Sequence, residues 1–427
     1  MADMKNKLRS LLDRHGLMTG ADLKGRIEEE ERQRAAGEWD VHHLIPGEDV
    51  GEEGDRFYLV QKDYSLDARH GDVVLGDVLN ALPSHIALSA CDDELEAFDP
   101  ATAAFIDVET TGLTGGTGTV AFLVGVGYFT RDAFRLEQTF MRDYDEEEPM
   151  LHYLSELFGR FDSLVSYNGK SFDVPLLRTR FISNRIPYPL DAAMHFDLVH
   201  ACRRFWKLRL QDCSLANIER NVLGLHRQGD IPSAEIPQTW FDYLESRDAR
   251  RLQQVFLHHE MDVLSLVALT GHLSQVLEAP AGEGFDHNED RLSLLRLCFR
   301  QRRLADVIAL AEGLLDSEPD DALRQECMHL VGHAYKRMAD WQNMAGVWQR
   351  IVQEFPHDLV ARLELAKCWE HRLRDLAQAE RICVETVQLL ETRAGLGRGS
   401  DTESAHIEAF QYRLRRIQRK LGRTTRD

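Results

Sequence analysis

The segment Ala103-Ala-Phe-Ile-Asp-Val-Glu sets two carboxylates, Asp107 and Glu109, at the end of an otherwise apolar run. Such a run reads as a strand buried in a sheet. Residues i and i+2 of a strand leave by the same face, so both acids occupy a surface that ordinarily takes hydrophobes. Burying two carboxylates side by side is costly unless a cation neutralises them. Any fold for this chain must therefore either expose that face at a sheet edge or bring positive charge to it.

The flanking pattern favours an α/β sheet of mixed direction. Beyond the turn-rich Thr110 to Thr119, a second strand is expected over Val120 to Phe129 and a third over Phe134 to Phe140. Pro149 to Phe158 reads as a helix, Leu164 to Tyr167 as a strand and Val174 to Ser183 as a helix. Helices are expected at Ala192 to Arg204, Leu215 to Leu223, Trp240 to Ser246 and Ala249 to Leu273. Residues 1–100 open with an amphipathic helix over Lys5 to Arg14 and include strand-like pieces such as Arg56 to Gln61; they are assigned an accessory role without chemistry. The expected α/β domain covers 101–277, and the linker 278–288 contains Glu278-Ala-Pro-Ala-Gly-Glu-Gly. Residues 289–427 read as all-helical. Two helix-end and proline signals, Ser317-Glu-Pro-Asp-Asp and Glu354-Phe-Pro-His-Asp, recur there 37 residues apart. Helices over Leu323 to Met338 and Trp341 to Glu354 fill the interval. This resembles tetratricopeptide repeats, with Ala334, Ala345 and Pro356 at small-residue and proline positions; a non-repeating bundle is the alternative.

Composition narrows the function. The 427 residues carry a formal charge of −20, which argues against a protein that coats nucleic acid with its whole surface. It leaves room for a local basic rim, and two stand out: Arg203, Arg204, Lys207 and Arg209, and the tail from Arg413 to Arg426. Either is also readable as a solvated surface. No apolar run reaches the roughly 18 residues of a membrane span. The charged N-terminus lacks the features of a secretory signal. Seven scattered cysteines without a C-x-x-C pair fit reduced thiols, so a cytoplasmic protein is expected.

Two later segments give Asp107 and Glu109 company. Leu164-Val-Ser-Tyr-Asn168-Gly-Lys-Ser-Phe172-Asp173 runs from strand through polar turn to helix start, because Pro175 is tolerated in a first helical turn. Taken alone, Asp173 is readable as an acid favoured by the helix dipole. His258 and Asp262 lie four apart on a late helix and so share a face; alone, they are readable as a surface ion pair. Gly115-Gly116-Thr117-Gly118 lacks the spacing of a phosphate loop and is better read as a strand–strand turn. Asp197 is read as a supporting acid, and Phe172 as either a core aromatic or a wedge against a base.

The order D-x-E-T-T-G on a strand, N-x-x-x-F-D at a helix start and H-x-x-x-D on a late helix resembles the DEDD exonuclease superfamily over residues 103–273. Within it, Asp212-Cys-Ser-Leu-Ala-Asn-Ile-Glu-Arg and the following Leu-Gly-Leu-His-Arg and Asp-Ile-Pro resemble the bacterial YprB-like branch, whose nuclease domain can carry helical repeats. The resemblance implies a ribonuclease H-like fold and a 3′–5′ exonuclease acting on DNA or RNA. It also implies two divalent cations, Mg²⁺ or Mn²⁺, held by Asp107, Glu109, Asp173 and Asp262. Asp107 would bridge the two, Glu109 and Asp262 would hold the one nearer the nucleophile, and Asp173 the other. His258 is the implied general base, although the superfamily's third motif usually reads Tyr-x-x-x-Asp or His-x-x-x-x-Asp. Here His258 stands at the tyrosine spacing, and Leu257 stands five before Asp262. Thr110, Thr111 and Gly112 are implied contacts of the 3′-terminal nucleotide; Asn168 is read as a further substrate contact or, equally, as a turn cap. Two other readings fit the same residues: a scaffold whose helical repeats bind a protein partner and whose nuclease site is silent, and an endonuclease of ribonuclease H fold.

Overall fold

The computed structural model describes residues 37–112, 118–279, 282–396 and 401–424, with the backbone alone for 401–404 and 423–424, besides Lys24, Glu29, Arg32 and Gln33. The expected helix over Lys5 to Arg14 and most of the Gly115–Gly118 turn lie outside these residues. The chain divides into two compact units: residues Met1–Ala201 with Ser214–Ser274, and Cys202–Cys213 with Gln275–Asp427.

The first unit is built on a seven-stranded mixed sheet. Its strands are β1 (Glu48–Glu52), β2 (Asp55–Ser65), β5 (Ala103–Thr110), β6 (Ala121–Phe129), β7 (Ala133–Phe140), β8 (Ser163–Ser166) and β9 (Met194–Asp197), in the order β1-β2-β7-β6-β5-β8-β9. A separate hairpin pairs β3 (Arg69–His70) with β4 (Val73–Val74). The pairs from β1 through β5 are antiparallel; β5–β8 and β8–β9 are parallel. Every residue of β6 is buried, as its near-continuous apolar run dictates for a central strand. Around the sheet lie α1 (Val41–Leu44), α2 (Pro83–Ala90), α3 (Glu147–Phe158), α4 (Asp173–Ser183), α5 (Leu198–Leu210), α6 (Leu215–Val222), α7 (Ile236–Ser246) and α8 (Leu252–Glu278). Helix α3 shows how the covering works: Met150, Leu151, Leu154, Leu157 and Phe158 form one buried stripe at helical spacing. Trp240 of α7 stacks on Phe122 of β6 at 5.1 Å and donates its indole N–H to the Met141 carbonyl at 2.8 Å.

Two expectations change. Residues 48–65, which carry no chemical motif, form two strands of this same sheet, β2 pairing with β7 from Tyr58–Phe140 to Ser65–Ala133. The helix expected over Ala192 to Arg204 instead opens with a strand: residues 194–197 pair in parallel with β8, and the helix begins at Leu198. A four-residue strand has too little length to show a period of two, and its pairing partner lies about 30 residues away, so tertiary pairing decides its state.

The second unit contains the end of α5 and of α8 with α9 (Asn288–Arg300), α10 (Leu304–Asp316), α11 (Asp321–Arg337), α12 (Trp341–Glu354), α13 (Leu359–Cys368), α14 (Leu376–Gly395) and α15 (Asp401–Thr424). From α9 to α15 each helix packs on the next in the chain, and α9 also meets α11. Ala334 and Ala345 are buried, and Gly332 lies so close to Trp348 that an added Cβ would sit 2.7 Å from the indole ring. Among the described residues no helix is long and apolar enough to cross a membrane.

Candidate metal centre

Strand β5 delivers Asp107 and Glu109 to one face, and a register shift between Glu109 and Thr110 ends the regular ladder immediately beyond them. Bulges of this kind re-aim a strand at functional sites. Opposite Asp107 stands Gly125, where a Cβ would lie 2.5 Å from the His259 ring and 3.0 Å from Val263. Gly127 repeats the arrangement against Val263 and Phe134. Two missing side chains on one face of β6 thus let α8 lie close against the sheet. That closeness brings His258 and Asp262 to the β5 acids.

His259 fixes the approach. It is fully buried, its Nε2–H donates to the Asp107 main-chain oxygen at 3.0 Å, and its Nδ1 accepts from the Gln138 amide at 3.1 Å. Burial lowers its pKa to about 4, so the ring is neutral at physiological pH and acts as a hydrogen-bonded strut.

His258 points the other way. Its Nδ1 meets Asp230 Oδ1 at 2.8 Å, while Nε2 faces Asp262 Oδ2 at 3.4 Å and Glu109 Oε1 at 3.9 Å. One ligand atom from each of Glu109, His258 and Asp262 lies within 4.8 Å of the other two, a spacing that can enclose one cation. The side chains of Asp107, Glu109 and Asp262 keep 18%, 15% and 15% exposure, so solvent reaches the cluster.

Asp173 opens α4, and the loop before it is held by Asp197. The Asp197 carboxylate accepts the main-chain N–H groups of Asn168 at 2.7 Å, Lys170 at 3.0 Å and Val199 at 3.2 Å. Asn168 adopts a left-handed φ of +66°, which Asn tolerates better than most residues. Gly169 is required sterically: an added Cβ would run into Ser166 Oγ and sit 3.0 Å from Asp173 Oδ2.

The electrostatics record the convergence of all four acids. Burial, then the charges of Asp107, Asp262, Asp173 and Asp230, push the Glu109 carboxyl well above its ordinary value. Burial, then Asp107, Asp197 and Asp262, do the same to Asp173. Burial raises Asp107 to about 6 even though His258 and Arg227 oppose it, and burial with Asp107 raises Asp262. Arg227 answers part of this charge. The Arg227 guanidinium pairs with Asp262 and with Glu219, donating Nε–H to Glu219 Oε2 at 2.8 Å, and reaches Asp230 at 3.4 Å. Ser265 also donates to Glu219 and meets His70 at 2.7 Å. Among the described residues no Lys or Arg forms an ion pair with Asp107, Glu109 or Asp173. Crowded oxygen donors short of positive charge suit hard divalent cations.

The sequence-expected substrate residues are placed as follows. The Thr110 hydroxyl donates to the Gly112 carbonyl at 2.9 Å, and the Thr111 hydroxyl accepts the Val120 N–H at 3.0 Å, so both brace the strand end. A Cβ added at Gly112 would make an ordinary contact with Thr119 Oγ1 at 3.9 Å. Phe172 and Leu257, neighbours in the chain of Asp173 and His258, are 56% and 54% exposed. Sequence reasoning did not single out His259, Glu219, Arg227 or Asp230. Three of these lie in the 212–232 stretch noted above for resemblance alone, which was the available signal.

The sheet order and the acidic cluster define an α/β domain of ribonuclease H-like fold, and residues 104–274 match the family model described as RNase_H superfamily. Over 383 residues the chain is 29% identical to the uncharacterized protein YprB of Bacillus subtilis (strain 168), covering 86% of this chain and 87% of that protein.

Proposed function

We propose that this protein is a divalent-metal-dependent 3′–5′ exonuclease that hydrolyses phosphodiester bonds of DNA or RNA. The observation that carries the reading is the grouping of Glu109, His258 and Asp262 donor atoms within 4.8 Å, with Asp107 and Asp173 raising the same field. Asp107, Glu109, Asp173 and Asp262 would hold two cations, Mg²⁺ or Mn²⁺. When bound, such cations neutralise charge at phosphorus and make water a better nucleophile at neutral pH.

The remaining work falls to side chains. Asp230 holds His258 through Nδ1 at 2.8 Å and leaves Nε2 turned toward the cluster. That nitrogen takes a proton from the attacking water as the new oxygen–phosphorus bond forms. The bond from phosphorus to the 3′ oxygen of the penultimate nucleotide breaks, releasing a nucleoside 5′-monophosphate. Arg227 keeps Asp262 oriented by its fork to Glu219 and Asp262. The exposed Phe172 and Leu257 offer apolar surface to the terminal base.

The test uses 5′-labelled single-stranded DNA, duplex DNA and RNA with Mg²⁺ or Mn²⁺, beside Asp107→Ala. A ladder shortening by one nucleotide, lost in the variant, is the expected result. Defined internal cuts would instead make the protein an endonuclease, and degradation surviving in Asp107→Ala would remove this site from the chemistry.

A further inference from the structure

The second unit holds a basic pocket that the metal centre does not use. It is an open cavity of about 700 Å³, lined from α5 by Arg203, Arg204 and Lys207, from α9 by Arg296 and Arg300, and from α11 by Glu326. Residues 203 and 207, and 296 and 300, are four apart, so each helix turns one basic face to the same space. Glu326 neutralises Arg296, to which it is bound at 2.5 and 2.6 Å. Arg203, Lys207 and Arg300 are exposed, and among the described residues none of the three forms an ion pair. Arg209, read from sequence with this group, is excluded because Asp290 holds it at 2.8 Å.

A chain with a net charge of −20 repels polyanions overall, so five cations around one cavity with a single carboxylate mark a local reversal of field. Guanidinium groups match phosphate oxygens in a bidentate fork, and the lysine adds a mobile point charge. We infer that this pocket binds the phosphate backbone of a nucleic-acid strand, giving the helical unit a strand-holding role. The inference rests on the nuclease reading for the identity of the polyanion.

The experiment measures fluorescence anisotropy of labelled single-stranded DNA and RNA on the full-length Asp107→Ala protein in EDTA, from 0.05 to 0.5 M salt. The triple change Arg203→Ala/Lys207→Ala/Arg300→Ala is compared with Arg350→Ala/Arg381→Ala/Arg415→Ala, which removes equal charge from exposed positions elsewhere in the unit. Each phosphate contact on a single strand adds about 0.7 to the slope of log K against log salt. Loss of three contacts should flatten the slope by about 2 and weaken binding on the order of 100-fold at 0.1 M salt. The control triple should leave the slope within about 0.5 of the parent. Equal slopes in parent and pocket variant overturn the proposal, as does an equal loss in the control triple. Turnover of bis(p-nitrophenyl) phosphate with Mn²⁺, measured with Asp107 intact, separates the two readings. The pocket variant should match the parent there, and a parent inactive on that ester and on strands would sink the nuclease reading while leaving the binding result to stand or fall alone.

Discussion

Replacing Asp107 with Asn should make the metal-free protein more stable while abolishing its activity. Burial raises the Asp107 carboxyl from 3.8 to about 6, so the folded protein holds this proton more tightly than the unfolded chain does. A raised acid contributes stability that is complete below pH 3.8 and is lost as pH climbs through about 6. At about 1.4 kcal/mol per pH unit, the loss by pH 8 is about 3 kcal/mol. Asn carries no charge and escapes it. For a domain of this size that corresponds to roughly 6–12 °C in Tm. Scanning fluorimetry in EDTA should show the variant and parent nearly matched at pH 4 and separated by this amount at pH 8. Mg²⁺ or Mn²⁺ should then raise the parent's Tm at pH 8 far more than the variant's, because the cation offsets the charge that Asn lacks. A variant–parent gap that stays constant from pH 4 to 8, or a parent indifferent to the cation, would refute the view that uncompensated charge at Asp107 destabilises the fold.

His259→Leu should cost about 3 kcal/mol in urea denaturation, since it strands the Asp107 carbonyl and the Gln138 amide in a buried site. Gly125→Ala should cost about 1–3 kcal/mol by forcing a methyl against His259 and Val263, and should lower cleavage by shifting α8 away from the β5 acids. Arg227→Met should cost about 3–5 kcal/mol by leaving Glu219 buried without its cation, and Arg227→Lys should recover only part of this because it lacks the fork. Asp230→Asn should lower the cleavage rate and reshape its pH profile while leaving stability nearly unchanged, as expected if Asp230 positions His258; an unaltered profile would assign the pair a purely structural role.

The parts of this molecule legible in sequence are those whose cause is local. Strands β5 and β6 announce themselves because each is a largely apolar run bounded by turn residues, and the start of α4 is marked by Pro175 in its first turn. Asp107 and Glu109 stand out because a buried strand has no ordinary use for two acids. What stayed hidden depends on partners distant in the chain. Strand β9 exists because β8 is there to pair with it. Strand β2 joins a sheet whose neighbouring strand begins some 70 residues later. Arg227 and Asp230 lie in a loop without periodicity, and only the fold shows that the loop passes Asp262 and His258. Gly125 reads as a blemish in a strand until His259 is seen against it.

These hidden residues explain how the chain folds at all around so much negative charge. Among the described residues six carboxylates, Asp107, Glu109, Asp173, Glu219, Asp230 and Asp262, surround a site with one arginine. Arg227 does not sit at their centre; it binds Glu219, Asp230 and Asp262 on one side, and Asp230 in turn engages His258. Among the described residues Asp107, Glu109 and Asp173 pair with no Lys or Arg, only histidines standing 3.7 Å from Asp107 and 3.9 Å from Glu109, and Glu109 and Asp173 are the two acids pushed well above their ordinary values. The protein's own arginine therefore stabilises Glu219, Asp230 and one side of Asp262, while Asp107, Glu109 and Asp173 keep their protons or would be neutralised by a cation from solution. An arginine placed among the inner acids would stabilise the metal-free fold and close the site to divalent ions. Its placement at the edge preserves the charge deficit on which the proposed metal binding would depend.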